Sequence, residues 1–534
     1  MKKITSILLA FMLIVGVCGS AMLTVGAGEA TSDTWDGTAS VKWYLDGPNA
    51  DDEYELKTAE DLAGLAFLVG AANAEGRYVG VYYRADGIVA GYVPGSNDTA
   101  YRDTAYLPTS VTGLEKVDGD TFLGKTVVLT VDIVLNEGNA ADWATTAPAN
   151  VWQPIGGNIK DGGKRAGFDG LFDGKGHTVS GLYCKAADAE TLYGGLFGVT
   201  GQQFLATIQN LNLTNFYVCG DTVGALVGRS NKGLMVNNVH ISNGISETQG
   251  TQAGAIVGAV FGGSVTFQNC SVESVAVQGN RYLGIFTGIT VSQTLDISNC
   301  YVKDSTVKGD GQVGLVCGRM AGGNIAIRNV YAIVELEATG EEVNVNSRLA
   351  GAGLVYGVAG DNNKPAAQAI ESFFHVSTVT GTVINEDMAE LATAVELTQI
   401  TGEMAMVMMP SFDYETVWKI VEGDTPVIEL RGGAEEGGDD DDDDFLPGDG
   451  GDSGDNGGND SGNNAGNNNN NNNDGNNGGA TNNGGNTNTE TNAPETEPST
   501  TDDSNGGCGS AIGLTGFMLI AVASGAAIML KKEN

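Results

Sequence analysis

The middle of the chain repeats its hydrophobic and polar positions about every thirty residues. Each repeat opens with a Gly-x-x-x-Gly block around an apolar residue, and these blocks begin at Gly194, Gly224, Gly254, Gly284 and Gly314. A looser block begins at Gly353, and a lead-in begins at Gly170. A second series places an asparagine before a short alternating strand, at Asn210, Asn238, Asn269, Asn299 and Asn329. Such a period predicts stacked like units rather than a conventional globular core.

The two series advance together, and this favours a parallel β-solenoid. Stacked coils would place like residues about 4.7–4.9 Å apart. We expect the glycines to form tight corners with positive φ, and the asparagines to form left-handed corners before the second strand. The middle residues of the blocks predict one apolar column, although the pattern leaves open which face of this strand points inward. That column is Leu196, Leu226, Ile256, Phe286, Val316 and Val355.

Composition divides the chain into six segments. They are a signal peptide at 1–30, an N-terminal capping domain at 31–165, solenoid repeats at 166–382, a C-terminal cap at 383–431, a disordered acidic linker at 432–507 and a transmembrane anchor at 511–530. The predicted fold class is all-β: a right-handed parallel β-helix or solenoid with mixed α+β caps, followed by a disordered linker and one transmembrane helix.

The two capping segments contain local signals of their own. Thr58 can cap a helix, with Asp61 three residues later in a capping-box arrangement. Alternating apolar residues predict a strand within 124–135. In 385–405 the apolar residues have helical spacing, and 412–430 predicts a final strand pair.

The chain ends predict export and anchoring. Two lysines and an apolar stretch begin the chain, and small residues follow, with cleavage expected after Ala27 or Ala30. The apolar segment 511–530 is long enough to span a bilayer, and Lys531 and Lys532 would stay on the cytoplasmic side. These features predict an extracellular, cell-surface protein anchored in the cytoplasmic membrane or cell envelope.

Charge excludes one class of partner. The formal net charge is −39, and residues 432–507 contain eighteen Asp or Glu without a single Lys or Arg. This segment is also rich in Gly and Asn, so it cannot bury a core and is predicted to be disordered. Such acidity repels nucleic acid, and no nucleic-acid partner is expected.

Cysteine usage predicts neither a zinc site nor a disulfide framework. Apart from Cys18 in the signal peptide and Cys508 beside the anchor, the chain has an odd number of cysteines and no Cys-x-x-Cys spacing; they are Cys184, Cys219, Cys270, Cys300 and Cys317. Cys270 and Cys300 occupy the same position in adjacent units. Their side chains would point in parallel, which favours buried free thiols over a disulfide.

Histidines are few. A zinc metallopeptidase would need a cluster such as His-Glu-x-x-His, and His177, His240 and His375 stand in no such pattern. For His177 we expect a structural or surface position. His240 lies between Val239 and Ile241, so strand alternation predicts that it faces solvent.

The main enzymatic alternative is a polysaccharide lyase or glycosidase, because parallel β-helices can support these enzymes. Its test in the sequence is whether suitable carboxylates are present. Glycoside hydrolysis needs two carboxylates placed across the bond, and the candidates are Asp169, Asp173 and Asp221. The first two lie in turn-like Phe-Asp-Gly triplets, where Asp commonly bonds to the backbone. The sequence pairs neither of these two with a second acid and a basic partner, so no catalytic, cofactor-binding or metal-binding residue is predicted.

Residues 55–431 resemble the GLUG-repeat family of bacterial surface proteins. The resemblance depends on the glycine blocks, the asparagine-led strands, the leading segments TAEDLAGLAFLV and FDGLFDGKGHTVSGLY, and the ending VWKIVEGDTPVIEL. It implies a parallel β-helix on a cell surface, used as a stalk, adhesin or accessory module. Related repeats also lie beside peptidase domains in some surface proteases.

These observations predict a non-catalytic adhesion or ligand-binding protein that displays a solenoid on a flexible tether. The expected partners are a host, matrix or cell-surface protein or glycan, and the membrane through the C-terminal helix. The alternative is a surface polysaccharide-degrading enzyme, either a lyase or a glycoside hydrolase. A residue that recurs in every coil serves stacking, so specificity is expected where the repeat breaks: in the leading domain, between Gly314 and Gly353, and in the loops.

Overall fold

A computed structural model describes residues 34–72, 78–94, 110–157, 167–185, 193–291, 293–340, 351–353, 367–381 and 392–430. The predicted signal peptide, acidic linker and transmembrane anchor lie outside these residues. Among the described residues, no helix is both long enough and apolar enough to cross a bilayer.

The leading segment is a mixture of short helices and strands. Its elements are α1 (Lys42–Asp46), β1 (Glu53–Leu56), α2 (Ala59–Ala71), β2 (Tyr78–Tyr83), β3 (Val89–Pro94), β4 (Glu115–Val117), β5 (Thr126–Leu129), β6 (Ile133–Val134) and α3 (Ala140–Trp143). Strands β3, β2 and β4 form an antiparallel sheet, whereas β1 and β5 pair in parallel and join the large sheet of the solenoid. The leading segment therefore supplies the first strands of the stack.

The predicted helix cap at Thr58 is confirmed. The Thr58 hydroxyl accepts a hydrogen bond from the amide of Asp61 at 3.2 Å, and the Asp61 carboxylate accepts one from the amide of Lys57 at 3.1 Å. The predicted strand at 124–135 is present as two pieces, β5 and β6.

The repeat region is a parallel β-solenoid. A large parallel sheet contains β7 (Leu171–Asp173), β8 (Thr178–Ser180), β9 (Tyr183–Lys185), β10 (Tyr193–Gly194), β12 (Ala206–Gly224), β14 (Leu234–Gly254), β16 (Ser264–Gln268), β17 (Ser271–Gly279), β18 (Tyr282–Gly284), β20 (Thr294–Gly309), β21 (Gln312–Gly314), β23 (Asn324–Ala338), β24 (Gly351–Gly353) and β25 (Ala367–Gly381). A second parallel sheet contains β11 (Phe197–Thr200), β13 (Val227–Ser230), β15 (Val257–Phe261), β19 (Thr287–Val291) and β22 (Cys317–Met320). Its five strands mark five coils.

Left-handed residues bend the long strands around the core. The predicted corners at Asn210, Asn238, Asn269, Asn299 and Asn329 are confirmed, with φ between 49° and 55° in every case. A second corner follows five residues later in four coils, at Asn215, Asn243, Ser274 and Asp304. Asparagine, aspartate and serine bond locally to the backbone, and Asn and Asp tolerate this region better than most residues.

Amide side chains connect the first corners in a row that we call the asparagine ladder (Asn210, Asn238, Asn269, Asn299 and Asn329). The Nδ2 of each residue donates to an oxygen one coil back: Asn238 to Asn210 at 2.9 Å, Asn299 to Asn269 at 3.3 Å, and Asn329 to Asn299 at 3.2 Å. Asn269 also donates one coil back, but to Asn237, which precedes the corner residue Asn238, at 3.0 Å. The ladder satisfies polar groups at a crowded corner and holds the coils in register.

The glycine blocks form the opposite corner, between the two sheets. The predicted apolar column is confirmed for Leu196, Leu226, Ile256, Phe286 and Val316, each at most 1% exposed, while Val355 lies outside the described residues. The flanking Ala225 and Val227 are also fully buried, so the chain is covered on both sides at this corner.

The expectation of positive φ at the block glycines is wrong for Gly224, Gly228 and Gly258, which are not left-handed. Close packing explains them instead. A Cβ on Gly258 would lie 2.6 Å from the carbonyl oxygen of Gly228 and 2.7 Å from the amide of Val223. The second sheet packs directly against backbone of the first, and only glycine leaves room for that approach.

The C-terminal cap comprises β26 (Thr393–Ala394), a 3₁₀ turn (Leu397–Ile400), α4 (Met404–Met408), β27 (Trp418–Lys419) and β28 (Val427–Ile428). The predicted strand pair is confirmed, because β27 and β28 pair in antiparallel register. The helical spacing predicted from 385 onward is wrong at 392–395, where β26 adds a parallel strand beside Phe374 and His375. The hydrogen bonds of an open sheet edge outweigh the local helical pattern there.

Both caps also pack against the sides of the solenoid. The outward rings of Tyr301 and Tyr331 are stacked 5.3 Å apart, and Trp418 of the cap lies against both. Near the other end, Trp143 of α3 contacts the outward Tyr183 ring at 6.2 Å. Aromatic residues on the outside of these coils require cover, and the caps provide it.

Candidate functional site

Asp173 ends the asparagine ladder. Its Oδ1 accepts hydrogen bonds from the Nδ2 of Asn210 at 3.0 Å and from the amide of Lys175 at 2.8 Å, and its Oδ2 accepts one from the Nε2 of Gln209 at 2.9 Å. The residue is 6% exposed. A carboxylate with this set of donors serves as a structural acceptor at the first corner.

Asp169 holds the first long turn of the solenoid. Its Oδ1 accepts from the amides of Gln203 and Phe204 at 3.1 and 3.4 Å. The residue is 3% exposed, and this burial raises the pKa of its carboxyl group. The turn in question, 201–205, exposes Phe204 and Leu205 to solvent.

Asp221 lies on a different part of the coil. Its Oδ2 accepts from the hydroxyl of Thr222 at 2.9 Å, and its carbonyl accepts from the hydroxyl of Thr248 at 2.6 Å. Asp173 pairs in register with Gln209, and two corners separate Gln209 from Asp221 along β12. The structure therefore does not join Asp221 with Asp169 and Asp173 around one site.

The three histidines are separated as well. His177 lies beside Asp132 at 3.1 Å, and His375 beside the hydroxyl of Ser377 at 2.6 Å. His240 is half-buried rather than fully solvent-facing: its Nδ1 lies 2.8 Å from the Ser271 hydroxyl. Desolvation lowers the pKa of His240 to about 4. Within the described ranges, no group of three or more His, Cys, Asp or Glu residues is arranged to hold a metal ion.

The cysteines in the described part of the chain are free and buried, as expected for Cys270 and Cys300. The amide of Cys270 donates to the Sγ of Cys300 at 3.4 Å. Burial raises the pKa of the Cys300 thiol well above its usual value. These thiols continue an apolar inward column in which Val239 precedes Cys270 and Val330 follows Cys300.

A concave surface forms where the leading segment meets the first coils. The amide of Trp35 donates to the carbonyl of Val134 at 2.9 Å, and the Trp35 ring meets Trp152 edge to face at 5.7 Å. Asn136 and Asn150 bond reciprocally: the Nδ2 of Asn136 donates to the Asn150 carbonyl, and the Asn150 amide donates to Oδ1 of Asn136, both at 2.9 Å. These contacts fix the walls of two cavities that share Trp35.

The two cavities differ in chemistry. The inner one, of about 280 Å³, is walled by small residues such as Ala63, Ala66 and Gly91 and by Trp152. The outer one, of about 450 Å³, we call the acidic groove. Its chemistry comes from Trp35, Asn136, Glu137, Asn139, Asp142 and Trp143.

Sequence reasoning did not find Glu137 or Asp142. One signal was available: of the five tryptophans in the chain, four lie in the leading segment, at Trp35, Trp43, Trp143 and Trp152. Tryptophan contributes strongly to cores and binding surfaces, so its concentration outside the repeats directs attention to the leading segment. The positions of the carboxylates around it depend on contacts between distant parts of the chain.

The fold defines a parallel β-solenoid protein with a mixed leading segment. No family model matches the chain. Halomucin from Haloquadratum walsbyi is 28% identical over 240 residues, which cover 44% of this chain and 2% of Halomucin, so this chain matches only a small part of that relative. A crystal structure titled as a putative immunoglobulin A1 protease from Bacteroides ovatus aligns with a TM-score of 0.37 and 19% identity, over 57% of this chain and 86% of that one. These partial similarities do not place the chain in a family.

Proposed function

We propose that this protein is a non-catalytic, cell-surface ligand-binding protein of the GLUG-repeat type. In this proposal the solenoid is a rigid stalk, and the leading segment holds the ligand. The acidic linker at 432–507 and the apolar segment at 511–530 would tether the stalk to the membrane. The ligand would be a protein or glycan of a host, a matrix or a neighbouring cell.

One contrast supports the proposal. The carboxylates of the solenoid that glycoside hydrolysis would require are engaged in hydrogen bonds that shape the fold, as at Asp173 and Asp169. Concave surface with polar and aromatic walls lies instead in the leading segment, at the acidic groove. Ligand sites are usually concave and lined by apolar groups together with a few placed polar groups.

Stacking also favours a stalk for the repeats. Outward side chains of successive coils form hydrogen bonds with one another. Glu247, for example, accepts from the hydroxyl of Tyr217 at 2.9 Å and from Gln278 at 3.1 Å. Asp296 and Arg328 form an ion pair of 2.9 Å between neighbouring coils. Such contacts engage these outward side chains with one another across neighbouring coils.

The test is a binding screen that also reports turnover. Purified full-length chain would be applied to arrays of glycans, matrix proteins and peptides, and the soluble phase would be analysed for cleavage products. We expect retention on a defined set of ligands without product formation. Reproducible release of oligosaccharides would support the polysaccharide-degrading alternative, and absence of binding to every array would contradict the ligand-binding role.

A second measurement tests location. Intact source cells would be treated with a protease that does not enter them, followed by immunoblotting for the solenoid. We expect loss of the full-length chain with an intracellular marker unchanged. Protection of the chain in intact cells, and its cleavage only after lysis, would contradict display on the surface.

A further inference from the structure

One flank of the solenoid carries charge of the opposite sign to the chain as a whole. It comprises the glycine corner and the second sheet, and we call it the cationic flank; its segments are 193–205, 221–233, 251–263, 281–293 and 311–323. They contain four cations, Arg229, Lys232, Arg281 and Arg319, and a single carboxylate, Asp221, which is 4% exposed. The formal net charge of the whole chain is −39, so this flank is a local reversal of charge.

Aromatic rings hold the guanidinium groups of the flank. The guanidinium of Arg229 lies 4.4 Å from the centroid of the Phe261 ring. The Tyr282 ring has two such neighbours, Arg281 at 4.9 Å and Arg319 at 5.4 Å. A ring attracts and orients a cation through its quadrupole but does not neutralise its charge.

Cations on the large sheet are neutralised by carboxylates instead, as where Arg328 pairs with Asp296 at 2.9 Å. Among the residues that the structure describes, no carboxylate lies within ion-pair distance of Arg229, Lys232 or Arg281. The positive charge of the flank is therefore available to a ligand.

Arg229 also keeps hydrogen-bond donors available. Its Nε donates to Oδ1 of Asn231 at 2.7 Å, and its Nη1 donates to the hydroxyl of Tyr193 at 2.8 Å. A guanidinium has five N–H donors, so three remain without an acceptor in the part of the chain that the structure covers. Oxyanions such as carboxylate and sulfate accept donors of this kind in pairs, with a fixed geometry.

The cations follow the axis of the stack. Arg229 and Arg319 occupy one register column, in which Ala259 and Ile289 lie between them. Three coil steps of about 4.7–4.9 Å place their backbones about 14 Å apart. Such an array matches an extended ligand with repeated negative charges. Strands β13, β15 and β19 are paired on both sides, so they offer no open edge to which an extended peptide could add.

A turn at the start of the flank adds apolar surface. Phe204 is 53% exposed and Leu205 is 50% exposed. Gln202 of the same turn accepts a hydrogen bond from Nδ2 of Asn231 at 2.7 Å, which connects the turn to Arg229. An exposed aromatic ring beside charged and amide groups suits a sugar ring, which has both apolar C–H groups and polar substituents.

From these observations we propose that the cationic flank binds an acidic polysaccharide laid along the solenoid axis. Its carboxylate or sulfate groups would accept hydrogen bonds from Arg229, Arg281 and Arg319, and the exposed Lys232 would add electrostatic attraction. Phe204 would contact a sugar ring at one end. This inference goes beyond the proposed function, because it gives the stalk a ligand of its own, apart from the leading segment.

The experiment uses four probes of six units each: hexagalacturonate, sulfated maltohexaose, maltohexaose and hexaglutamate. Each would be titrated into purified full-length chain by calorimetry at low ionic strength. We expect saturable binding of at least one acidic oligosaccharide, and the comparison of the two identifies the preferred anion. Maltohexaose and hexaglutamate should bind at least about tenfold more weakly. Added salt should weaken the binding, because exposed charges are screened.

A matched pair of variants assigns the binding to the flank. Arg229→Gln with Arg281→Gln should lower the affinity for the acidic oligosaccharide at least about tenfold. Arg84→Gln with Arg328→Gln makes the same chemical change at two exposed arginines elsewhere, and affinity should stay within about twofold. Circular dichroism and melting temperature report whether the variants fold. Lys232→Gln changes an exposed side chain and should weaken binding at least about threefold even if the double variant does not fold.

Three results would overturn the inference. Equal binding of maltohexaose and the acidic oligosaccharides would remove the selectivity for an anion. Binding of hexaglutamate as tightly as the acidic oligosaccharides would indicate an acidic protein as the partner. Equal losses in the two double variants would leave only general charge attraction.

Failure here is distinguishable from failure of the proposed function. If neither acidic oligosaccharide binds but a ligand from the arrays is retained, the flank has no role in binding and the ligand-binding function stands.

Discussion

The phenyl ring of Phe216 fills the space in which a side chain at Gly244, one coil later, would lie. These two residues pair in register on the inward face of the stack, and a Cβ on Gly244 would lie 2.3 Å from the Phe216 ring. A large and a small residue thus share the volume of two neighbouring positions, which preserves close packing in the solenoid interior.

Replacing Gly244 with alanine is expected to destabilise the protein. Overpacking of this kind typically costs about 1–3 kcal/mol, and Phe216→Ala alone costs about 3–5 kcal/mol through the cavity that it leaves. In the double variant the new methyl group enters the vacated space, so the total loss should be smaller than the sum of the two. Chemical denaturation of all four chains measures the coupling, and strict additivity would show that the two residues do not share this volume.

Asn269 tests whether the left-handed corner or the ladder bond matters more. Its φ is 55°, and its Nδ2 donates to Asn237 at 3.0 Å. Asn269→Gly and Asn269→Ala both remove the side-chain bond, but only alanine is strained in the left-handed region. We expect alanine to cost about 1 kcal/mol more than glycine. Equal free energies of unfolding for the two variants would contradict the role assigned to the corner.

His240 makes stability depend on pH. Burial lowers its pKa to about 4 in the folded chain, below the ordinary value of 6.5. Unfolding therefore takes up a proton in this window, and the stability present above pH 6.5 is lost as the pH falls toward 4. Between pH 7 and pH 5, wild type should lose about 1–2 kcal/mol more than His240→Gln, in which this titration is absent. Parallel losses in the two chains, measured by denaturant unfolding at both pH values, would contradict this environment for His240.

Cys270 and Cys300 are expected to behave as small apolar residues. Valine occupies the same column at Val239 and Val330, so Cys270→Val with Cys300→Val should change the free energy of unfolding by less than about 1.5 kcal/mol. In the folded chain both thiols should resist iodoacetamide, because they are fully buried. After denaturation without reductant both should become labelled, as read by mass spectrometry. A chain that stays unlabelled at both positions under those conditions would contain a disulfide.

Local regularity made the solenoid predictable from sequence. The asparagine corners were recognisable because asparagine tolerates left-handed backbone, and Asn238 and Asn299 adopt it as expected. The role of the block glycines was harder to predict from the sequence. Their spacing was visible, but Gly258 serves close approach to Val223 rather than a positive φ, and this contact joins residues far apart in sequence.

The candidate sites show the same division. Sequence named Asp173 as a candidate carboxylate for glycoside hydrolysis, and its turn-like triplet favoured a backbone bond instead; the bond that it accepts from the amide of Lys175 agrees with that structural expectation. Its bond to Asn210, which makes it the end of the ladder, joins residues in different coils. Glu137 and Asp142 had no local signal, since the groove appears only when the chain at Trp35 packs against the loop that ends at Asn150, whose Nδ2 donates to the carbonyl of Trp35.

The sequence by itself determined the repeat, its stacking and its corners, because spacing and backbone preference are properties of neighbouring residues. The tertiary structure alone decided where the irregular parts lie. Trp418 covers the outward Tyr331 ring on the side of the stack, and the acidic groove forms between segments about one hundred residues apart. Those arrangements depend on the shapes and areas of surfaces brought together by folding, which a repeat pattern does not contain.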